Sequence, residues 1–331
     1  MSLEKVTLGH GSGGRLTQDL IQVILSVFPK KNLTSDLEDC ALIWEKIGVT
    51  IDSFTVSPRD FPGGDIGELA ICGSANDLAV RGVKPQFITM SVVAEEGFHI
   101  DELTRYMKSA SSICQKLGIQ LVAGDTKVVP KGHVEGLFIT TCAVGERVTP
   151  APLGMNLLQP SDTIIVSTSI GRHGAAIGAS RFDLNPEDLK SDCAPLWPAL
   201  EPLLKIDGLR CMRDCTRGGL GTVMCEWAEG RQLGVTLSEE GIPIRSSVQS
   251  VCDILGFDPL YLACEGCAAI GVDPKDADKV LNILRENPLC QEASIIGSVT
   301  EEHKGMVALQ TKIGGMRVVD MPVGEMLPRI C

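Results

Sequence analysis

Residues 49–80 read VTIDSFTVSPRDFPGGDIGELAICGSANDLAV, and this stretch decides the fold of the N-terminal half. It begins within an alternating apolar segment, 48–56, that is typical of a β-strand. The turn residues PGG separate this strand from 67–82, a run of small and apolar residues that predicts a helix ending at Gly82. Another strand is predicted at 85–93, so the stretch belongs to a strand–helix–strand unit.

The alternation of strands and helices continues on both sides of residues 149–162, a stretch with three prolines that predicts a domain boundary. In the second half, GGLGTVMCEWAEG (218–230) predicts a helix and LYLACEG (260–266) predicts a strand. This pattern favours an α/β or α+β protein. Its 331 residues are enough for two domains, each with its own core.

The charge of the chain limits its partners. Thirty Lys and Arg against 42 Asp and Glu give a net charge of −12. Phosphate backbones bind basic surfaces, so this balance disfavours a nucleic-acid partner. No apolar run reaches the roughly 20 residues of a membrane helix, and the N-terminus lacks the apolar segment of a signal peptide. We therefore expect no membrane contact and a cytoplasmic protein.

Thirteen cysteines are scattered along the chain. In a reducing compartment their odd number does not indicate a disulfide framework, and we expect most of them to be small buried residues. Two pairs have the spacing of metal ligands, Cys211 with Cys215 and Cys264 with Cys267. Four thiolates could hold zinc or an iron–sulfur cluster, and the second pair could be redox-active. Ordinary substitution by a small residue is the alternative.

Acidic residues stand where apolar strands end or in small-residue segments, at Asp39, Asp52, Asp65, Asp77 and Asp125. Singly, each could cap a helix or close a turn, and Asp65 in PGGD fits that alternative best. Together they predict a metal–phosphate site, because carboxylate oxygens and substrate phosphates are the ligands of Mg²⁺.

Two glycine-rich segments could bind phosphate. HGSGG (10–14) precedes the first predicted helix, at 17–28, and DCTRGGLG (214–221) opens a later one. Backbone N–H groups at such positions can cradle a phosphate, but a flexible loop and a plain strand-to-helix turn are the alternatives. Lys127, close after Asp125, is either a phosphate ligand or proton carrier, or a solvated loop lysine.

These segments, with VAGDTKVVP and the terminal PRIC, resemble the HypE family of hydrogenase maturation proteins essentially from end to end. The central stretch is similar to the wider superfamily of aminoimidazole ribonucleotide synthetase (PurM), selenophosphate synthetase and thiamine-monophosphate kinase. GDTKVV and PRIC narrow the resemblance to HypE. It implies a two-domain PurM-like fold, in which the N-terminal sheets of two copies pair in a dimer barrel. It also implies a C-terminal α/β sandwich and a flexible tail.

The resemblance also gives the boundaries that we expect. They are 1–37 for an N-terminal segment with the glycine-rich loop, 38–150 for an ATP-binding domain, 151–321 for the C-terminal domain and 322–331 for the tail.

By itself a terminal cysteine is most simply an inert tail, but the resemblance implies that Cys331 is a covalent carrier. In the family, the carbamoyltransferase HypF loads a carbamoyl group on the sulfur. ATP then drives its dehydration to a thiocyanate, and the cyanide passes to iron on the HypC–HypD scaffold for the [NiFe] hydrogenase centre. The seven steps from Gly324 to Cys331, at about 3.5 Å each when extended, could reach roughly 25 Å, so that the sulfur could visit several sites.

The resemblance implies ATP and Mg²⁺ as cofactors and assigns residues to them. Cys331 carries the substrate, with Glu265 and Lys127 nearest to the sulfur chemistry. Glu265 is assigned proton abstraction, and Lys127 is assigned contact with the transferring phosphate or the carbamoyl oxygen. The expected magnesium ligands are Asp39, Asp52, Asp77 and Asp125. The expected ATP-binding residues are these four with His10, Gly11, Gly13, Gly14, Asn76, Arg217, Gly218 and Gly219.

The sequence departs from the family pattern at a few positions. Cys215 stands where a proline is expected, Cys264 and Cys267 replace an asparagine and a basic residue around Glu265, and Glu68 replaces a lysine. Two other functions therefore stay open. One is a superfamily enzyme that uses ATP on a small free substrate. The other is a metal- or redox-binding module built on the four cysteines.

Overall fold

The structure is a computed structural model, and it describes residues 5–29, 38–149, 151–184, 186–324 and 330–331. The helices are α1 Arg15–Ser26, α2 Ile66–Val80, α3 Ile100–Leu117, α4 Arg172–Arg181, α5 Trp197–Leu200, α6 Gly219–Arg231, α7 Ser246–Leu255 and α8 Ala277–Glu286. None of the helices in these ranges is long and apolar enough to cross a membrane.

The strands fall into two main sheets and a short ribbon. The first half contributes β1 Ala41–Ile43, β2 Ile47–Phe54, β3 Asp60–Phe61, β4 Gly64–Asp65, β5 Val83–Glu95, β6 Gln120–Val129 and β7 Leu137–Arg147. The second half contributes β8 Thr163–Val166, β9 Leu209–Asp214, β10 Gly234–Ser238, β11 Ala268–Val272, β12 Ser294–Thr300, β13 Val307–Gln310 and β14 Met316–Val319.

The first sheet has five strands in the order β1-β2-β7-β5-β6, and helices α2 and α3 cover one of its faces. The alternation of β7 follows from this one-sided cover. Leu137, Ile139, Thr141 and Ala143 are buried towards the helices, whereas the alternate residues 138, 140 and 142 are only half-buried. On the other face of the sheet, side chains such as Ile51 and Phe87 are exposed, and no helix within the described ranges covers them.

The second sheet has seven strands in the order β14-β13-β10-β12-β8-β11-β9. Strand β11, AAIGV, lies between β8 and β9 and is buried along its whole length, as expected for a strand covered on both faces. Apolar side chains of helices α6 and α8 belong to the two clusters of buried residues that surround this sheet. This half is therefore a mixed sheet with helices packed against it.

Helix α2 begins where the turn alternative for Asp65 predicted. The Asp65 carboxylate accepts hydrogen bonds from the N–H groups of Gly67 and Glu68, at 2.8 and 3.0 Å, which satisfies two donors of the first turn. Small residues then allow close packing on several sides, because a Cβ at Gly73 would overlap the ring of Phe54. The helix is consequently buried between the first sheet, α3 and the second half of the chain.

The strand predicted at 260–266 is wrong. Residues Pro259–Tyr261 form a 3-10 turn capped by Asp258, whose side chain accepts from the N–H of Leu260 at 3.0 Å. The chain then turns through Glu265 before β11 starts at Ala268. The apolar character of this segment reflects its burial, which periodicity alone cannot distinguish from a strand.

The cap of α2 gives a prediction about stability. Asp65→Ala removes the acceptor of two N–H groups and of the Ser109 hydroxyl, which donates to Asp65 at 2.6 Å. It should lower the free energy of unfolding by about 1–2 kcal/mol, as measured by denaturant unfolding. Asp65→Asn keeps an acceptor oxygen, so it should lower the free energy of unfolding by less than Asp65→Ala does. Equal losses in both variants would contradict a capping role.

Candidate active site

A cavity of about 230 Å³ lies between the two halves of the chain. Strand β2 and helix α2 form one side of it, and the end of β9 with the turn around Glu265 forms the other. The C-terminal residue closes it. Its lining residues are Glu38, Asp39, Thr50, Ile51, Asp52, Ser53, Phe54, Gly73, Asp77, Arg213, Asp214, Thr216, Arg217, Glu265 and Cys331.

Three carboxyl groups converge in this cavity. One oxygen from each of Asp39, Asp77 and Asp214 lies within 4.8 Å of the others. The Oδ2 atoms of Asp39 and Asp214 are buried without a hydrogen-bond partner, whereas Asp77 accepts from the Thr50 hydroxyl at 2.6 Å. Unpartnered carboxylate oxygens at this spacing fit a hard divalent cation such as Mg²⁺.

The environment of these carboxyl groups disfavours their charged forms. Burial raises the pKa of Asp39 to about 6, although the neighbouring Arg213 opposes the shift. The pKa values of Asp77 and Asp214 lie well above the usual range, first because of burial and then because of repulsion from Asp52 and Asp39 respectively. The group therefore favours an added cation, which would relieve both penalties.

Arg213, which belongs to the second half of the chain, compensates part of the negative charge of these carboxylates. Its guanidinium lies 3.1 Å from Asp39 and 3.2 Å from Glu226, and it also approaches Glu38 at 3.9 Å. Glu38 in turn pairs with Arg81, at the end of α2, at 3.2 Å. This network holds the segment before β1 against β9.

Two of these residues, Asp214 and Arg213, were missed by the sequence reasoning. Asp214 ends β9, a strand that the sequence analysis did not identify, and it opens the glycine-rich segment DCTRGGLG. An acidic residue at the end of an apolar strand is the same signal that pointed to Asp52. The structure thus brings two of the predicted magnesium ligands, Asp39 and Asp77, together with Asp214, and Asp52 lies next to them on the cavity wall. That these residues bind magnesium stays a prediction.

The terminal cysteine lies in the cavity. Cys331 is half-buried, and its main-chain oxygen accepts a hydrogen bond from the N–H of Thr55 at 3.0 Å. Burial raises the pKa of the Cys331 thiol to about 12, and the positive charge of Arg217 opposes that shift. The thiol is therefore neutral in this position, beside Arg217 and the buried carboxyl of Glu265.

Glu265 is held by its own backbone. Its carbonyl accepts from the Asn76 amide at 3.1 Å, and its N–H donates to Asp192 at 3.2 Å. The carboxyl is 2% exposed, and its Oε1 atom has no partner. Burial, followed by repulsion from Asp214, raises the pKa of Glu265 well above its usual range. Such a carboxyl holds a proton firmly once it has accepted one.

Asn76 joins the two halves of the chain through its side-chain amide, and its predicted contact with ATP stays a prediction. Its amide nitrogen donates to Ala194 and Glu265 carbonyls, and its oxygen accepts from the N–H of Leu196 at 2.7 Å. All its polar atoms are thus used in joining α2 to the second half of the chain. The structure gives no support to contact between this side chain and a nucleotide.

The two glycine-rich segments meet beside the cavity. A Cβ at Gly13 would lie 2.6 Å from the carbonyl oxygen of Arg217, so the first segment packs directly against the second. Gly218 caps α6 in the left-handed region, with φ +81°, and Gly219 follows with φ +60°. Both segments therefore need glycine for close approach or for backbone conformation, and their contact with phosphate stays a prediction.

The other residues of the first segment contribute differently. His10 is buried and accepts the N–H of Thr7 on Nδ1 at 3.0 Å, which closes a 3-10 turn at Leu8–Gly11. Gly14 caps α1 and touches the carbonyl of Pro322, and Gly11 is exposed with nothing around it. Helix α1 starts at Arg15, two residues earlier than predicted.

Asp125 and Lys127 lie apart from the cavity in a single chain, contrary to the expected cluster. They occupy the edge strand β6, three strands from β2, or about 14 Å at ~4.8 Å per strand. The register also places Asp125 in line with Ser91 and Thr140, and Asp52 in line with Thr141, so the two carboxylates point to opposite faces. Asp125 and Lys127 are exposed and pair with each other at 3.1 Å.

The four cysteines do not form one cluster. Cys267 lies close enough to Cys215 and Cys264 to raise the pKa values of their thiols, and its own thiol donates to the carbonyl of Thr168 at 3.6 Å. Cys211 instead lies in β9 against Gly271. Among the described residues, the group with metal-ligand spacing is the aspartate one rather than any set of these thiols. A four-thiolate metal centre is thus contradicted, and a redox role of Cys264 with Cys267 stays untested.

Comparison with known proteins places this cavity in a family. The AIR synthase related protein N-terminal domain matches residues 37–147, and the corresponding C-terminal domain matches 159–310. The chain is 40% identical to the carbamoyl dehydratase HypE of Rhodobacter capsulatus over 99% of this chain and 98% of that one. The chain belongs to the HypE family. The family resemblance of the sequence is thereby confirmed, and so is the two-domain α/β fold.

Two solved structures of HypE proteins are similar over the whole fold. HypE in a HypE–HypF complex has a TM-score of 0.88 at 37% identity and covers 93% of this chain and 100% of its own. HypE in complex with ATP has a TM-score of 0.83 at 36% identity and covers 98% of this chain and 100% of its own. ATP binding is therefore a property of this family.

The buried carboxyl groups predict a pH-dependent metal effect. In the folded protein the pKa of Asp39 is raised to about 6. The fold therefore favours the protonated carboxyl, and the stability that this contributes at acid pH is lost as the pH rises through 6. Mg²⁺ needs the deprotonated form. The increase in melting temperature caused by Mg²⁺ should therefore be small near pH 5 and larger near pH 7, in a thermal shift assay.

Asp39→Asn should reduce this magnesium effect at the higher pH. Asp188→Asn, at an exposed position outside the cavity, is the matched control. A magnesium effect that is the same at both pH values, or unchanged in Asp39→Asn, would contradict a cation site at this group.

Proposed function

We propose that this chain is an ATP-dependent carbamoyl dehydratase whose substrate is an S-carbamoyl group on its own Cys331. The observation that carries the proposal is the position of the terminal residue. Cys331 lies inside the acidic cavity between the two halves, beside the buried carboxyl of Glu265. A thiol that lines the proposed ATP site can hold its carbamoyl group there for reaction while the group stays covalently bound.

The proposed reaction converts S–C(=O)NH₂ and ATP into S–C≡N, ADP, phosphate and a proton. The carbamoyl oxygen attacks the γ-phosphorus, the bond to ADP breaks, and the oxygen then leaves carbon as inorganic phosphate. The two nitrogen protons are lost as the C≡N bond forms. Phosphoryl transfer of this kind depends mainly on positioning and on neutralisation of charge.

The residues of the cavity fit these needs. In its ionised form Glu265 would accept a proton from nitrogen, because its Oε1 is unpartnered and burial makes its carboxylate a stronger base. Arg217, next to the sulfur, would stabilise negative charge that develops on the carbamoyl oxygen. Asp39, Asp77 and Asp214, with Asp52 beside them, would hold Mg²⁺, which neutralises charge on the phosphates.

Asp125 and Lys127 are proposed to act in a homodimer. Strand β6 is exposed on both faces, and the uncovered face of the sheet carries apolar side chains such as Ile51 and Phe87, 68% and 41% exposed. An open apolar face with an unpaired edge favours pairing with a second copy, which would form the expected barrel. In that assembly Asp125 and Lys127 would enter the site of the other copy.

The proposed partners follow from the chemistry of the carrier. A carbamoyltransferase of the HypF kind would load Cys331, and an iron scaffold of the HypC–HypD kind would accept the cyanide. All thirteen cysteines are free thiols, which suits the reducing cytoplasm that we propose as the location. The proposed boundaries remain 1–37, 38–150, 151–321 and 322–331.

Intact mass measurement tests the function directly. The protein is incubated with HypF, its substrates and ATP, and a gain of about 43 Da at Cys331 should convert to about 25 Da, the increments of a carbamoyl and a cyano group. Cys331→Ala should show neither, whereas Cys114→Ala should behave as wild type. Glu265→Gln should gain the carbamoyl mass but should not convert it to the cyano mass. ATP turnover on a free metabolite by Cys331→Ala would favour the alternative superfamily enzyme instead.

Mixed dimers test the shared site. Asp125→Asn and Glu265→Gln should each be inactive alone. If each site uses Asp125 from one copy and Glu265 from the other, random mixing should restore about a quarter of wild-type dehydration, because half of the dimers then contain one intact site. Mixed protein that remains inactive, although subunit exchange is verified by mass, would place both residues in the same copy. Activity of Asp125→Asn alone would remove Asp125 from the reaction.

A further inference from the structure

The backbone of the tail is held by a buried histidine. Nε2 of His173 lies 2.6 Å from the carbonyl oxygen of Ile330, the residue before the terminal cysteine. His173 belongs to the first turn of α4 and is fully buried. Neither the sequence analysis nor the proposed chemistry gives this side chain a role.

The contacts of His173 fix its orientation and tautomer. A carbonyl only accepts, so Nε2 carries the proton and donates to Ile330, and Nδ1 accepts from the Ser191 hydroxyl at 2.8 Å. The ring of Phe61 stands edge-on to the imidazole at 5.1 Å. Burial lowers the pKa of His173 to about 4, so the ring is neutral and keeps this tautomer.

Two further contacts hold the terminal dipeptide. The Ile330 side chain is 8% exposed and belongs to the apolar core around the first sheet. The oxygen of Cys331 accepts from the N–H of Thr55 at 3.0 Å and from its hydroxyl at 3.3 Å. Each contact uses the backbone or the Ile330 side chain, and none uses the sulfur.

We propose that His173 is a positioning residue that holds the carbonyl of Ile330, and so keeps the sulfur of Cys331 beside Glu265 and Arg217 during dehydration. Because its contact is with the main chain, it is the same for the thiol, the carbamoylated and the cyanated forms. The inference deepens the proposed function and rests on it for the dehydration step, although docking of the tail is measurable without any turnover.

Alkylation of Cys331 measures docking in the absence of ATP and partner. The native protein is treated with iodoacetamide, and labelling of Cys331 is followed by peptide mass spectrometry relative to the half-buried Cys114. His173→Phe keeps a ring against Phe61 but loses the donor. It should label roughly tenfold faster, the scale of one lost hydrogen bond to a buried acceptor. His173→Gln can still donate and should stay near wild type.

The same variants should separate loading from dehydration in the mass assay. Loading by the carbamoyltransferase needs the tail outside the cavity, so His173→Phe should load at least as fast as wild type. Its conversion from the carbamoyl to the cyano form should be slower, also by roughly tenfold, and His173→Gln should restore it. A defect in folding would instead slow both steps and lower ATP binding.

A tail variant keeps the inference testable if His173→Phe is unstable. Ile330→Ser removes the apolar anchor without altering the body of the protein, and it should also speed alkylation. If His173 acts through the tail, the double variant should gain clearly less in alkylation rate than the two single variants together predict. Fully additive effects would overturn the inference.

The remaining outcomes are also decisive. Wild-type labelling rates in a well-folded His173→Phe protein would overturn the inference, and so would alkylation of wild-type Cys331 as fast as that of a free peptide thiol. Failure of the proposed function would give a different result. Wild-type Cys331 would then gain no mass with HypF, but His173 would still protect its thiol from alkylation.

Discussion

The repulsion among buried carboxyl groups is the constraint on which the site depends. Asp39, Asp77 and Asp214 come from three separate segments and bring oxygens within 4.8 Å of one another, with Asp214 buried and the other two half-buried. Like charges at this distance and burial each raise the free energy of the ionised forms. The fold compensates part of this cost with Arg213 on one side of the group. We propose that a cation bound together with a polyphosphate relieves the remainder.

The position of this group depends in turn on helix α2. Its small residues allow it to be buried between the two halves, so that Asp77 is presented from its last turns against β2 and β9. Asn76, the residue before it, uses every polar atom to hold the backbone at Ala194, Leu196 and Glu265. The same helical turn thus provides a carboxylate to one wall of the cavity and fixes the geometry of the other wall.

Much of this arrangement could be predicted from residues 49–80, since strand alternation, turn chemistry and small helical residues all agree there. The errors arise where tertiary contacts decide. Asp214 was missed because β9 is short, and the segment at 260–266 is apolar through burial rather than through pairing. Asp125 resembles Asp52 in local sequence. The strand order and the alternation of side chains along each strand nevertheless place Asp125 on the opposite face of the first sheet. The role of Asn76 depends on contacts more than a hundred residues away.

The docked tail also constrains the order of events at the sulfur. In the cavity the thiol of Cys331 has a pKa near 12, because burial penalises the thiolate more than Arg217 stabilises it. A neutral thiol is a poor nucleophile, so the docked state is unsuited to loading. A thiocarbamate and a thiocyanate, in contrast, are uncharged at sulfur and are not penalised by burial. The environment that makes the free thiol unreactive is therefore compatible with both proposed loaded forms, and on the proposed function we expect loading to occur on the undocked tail.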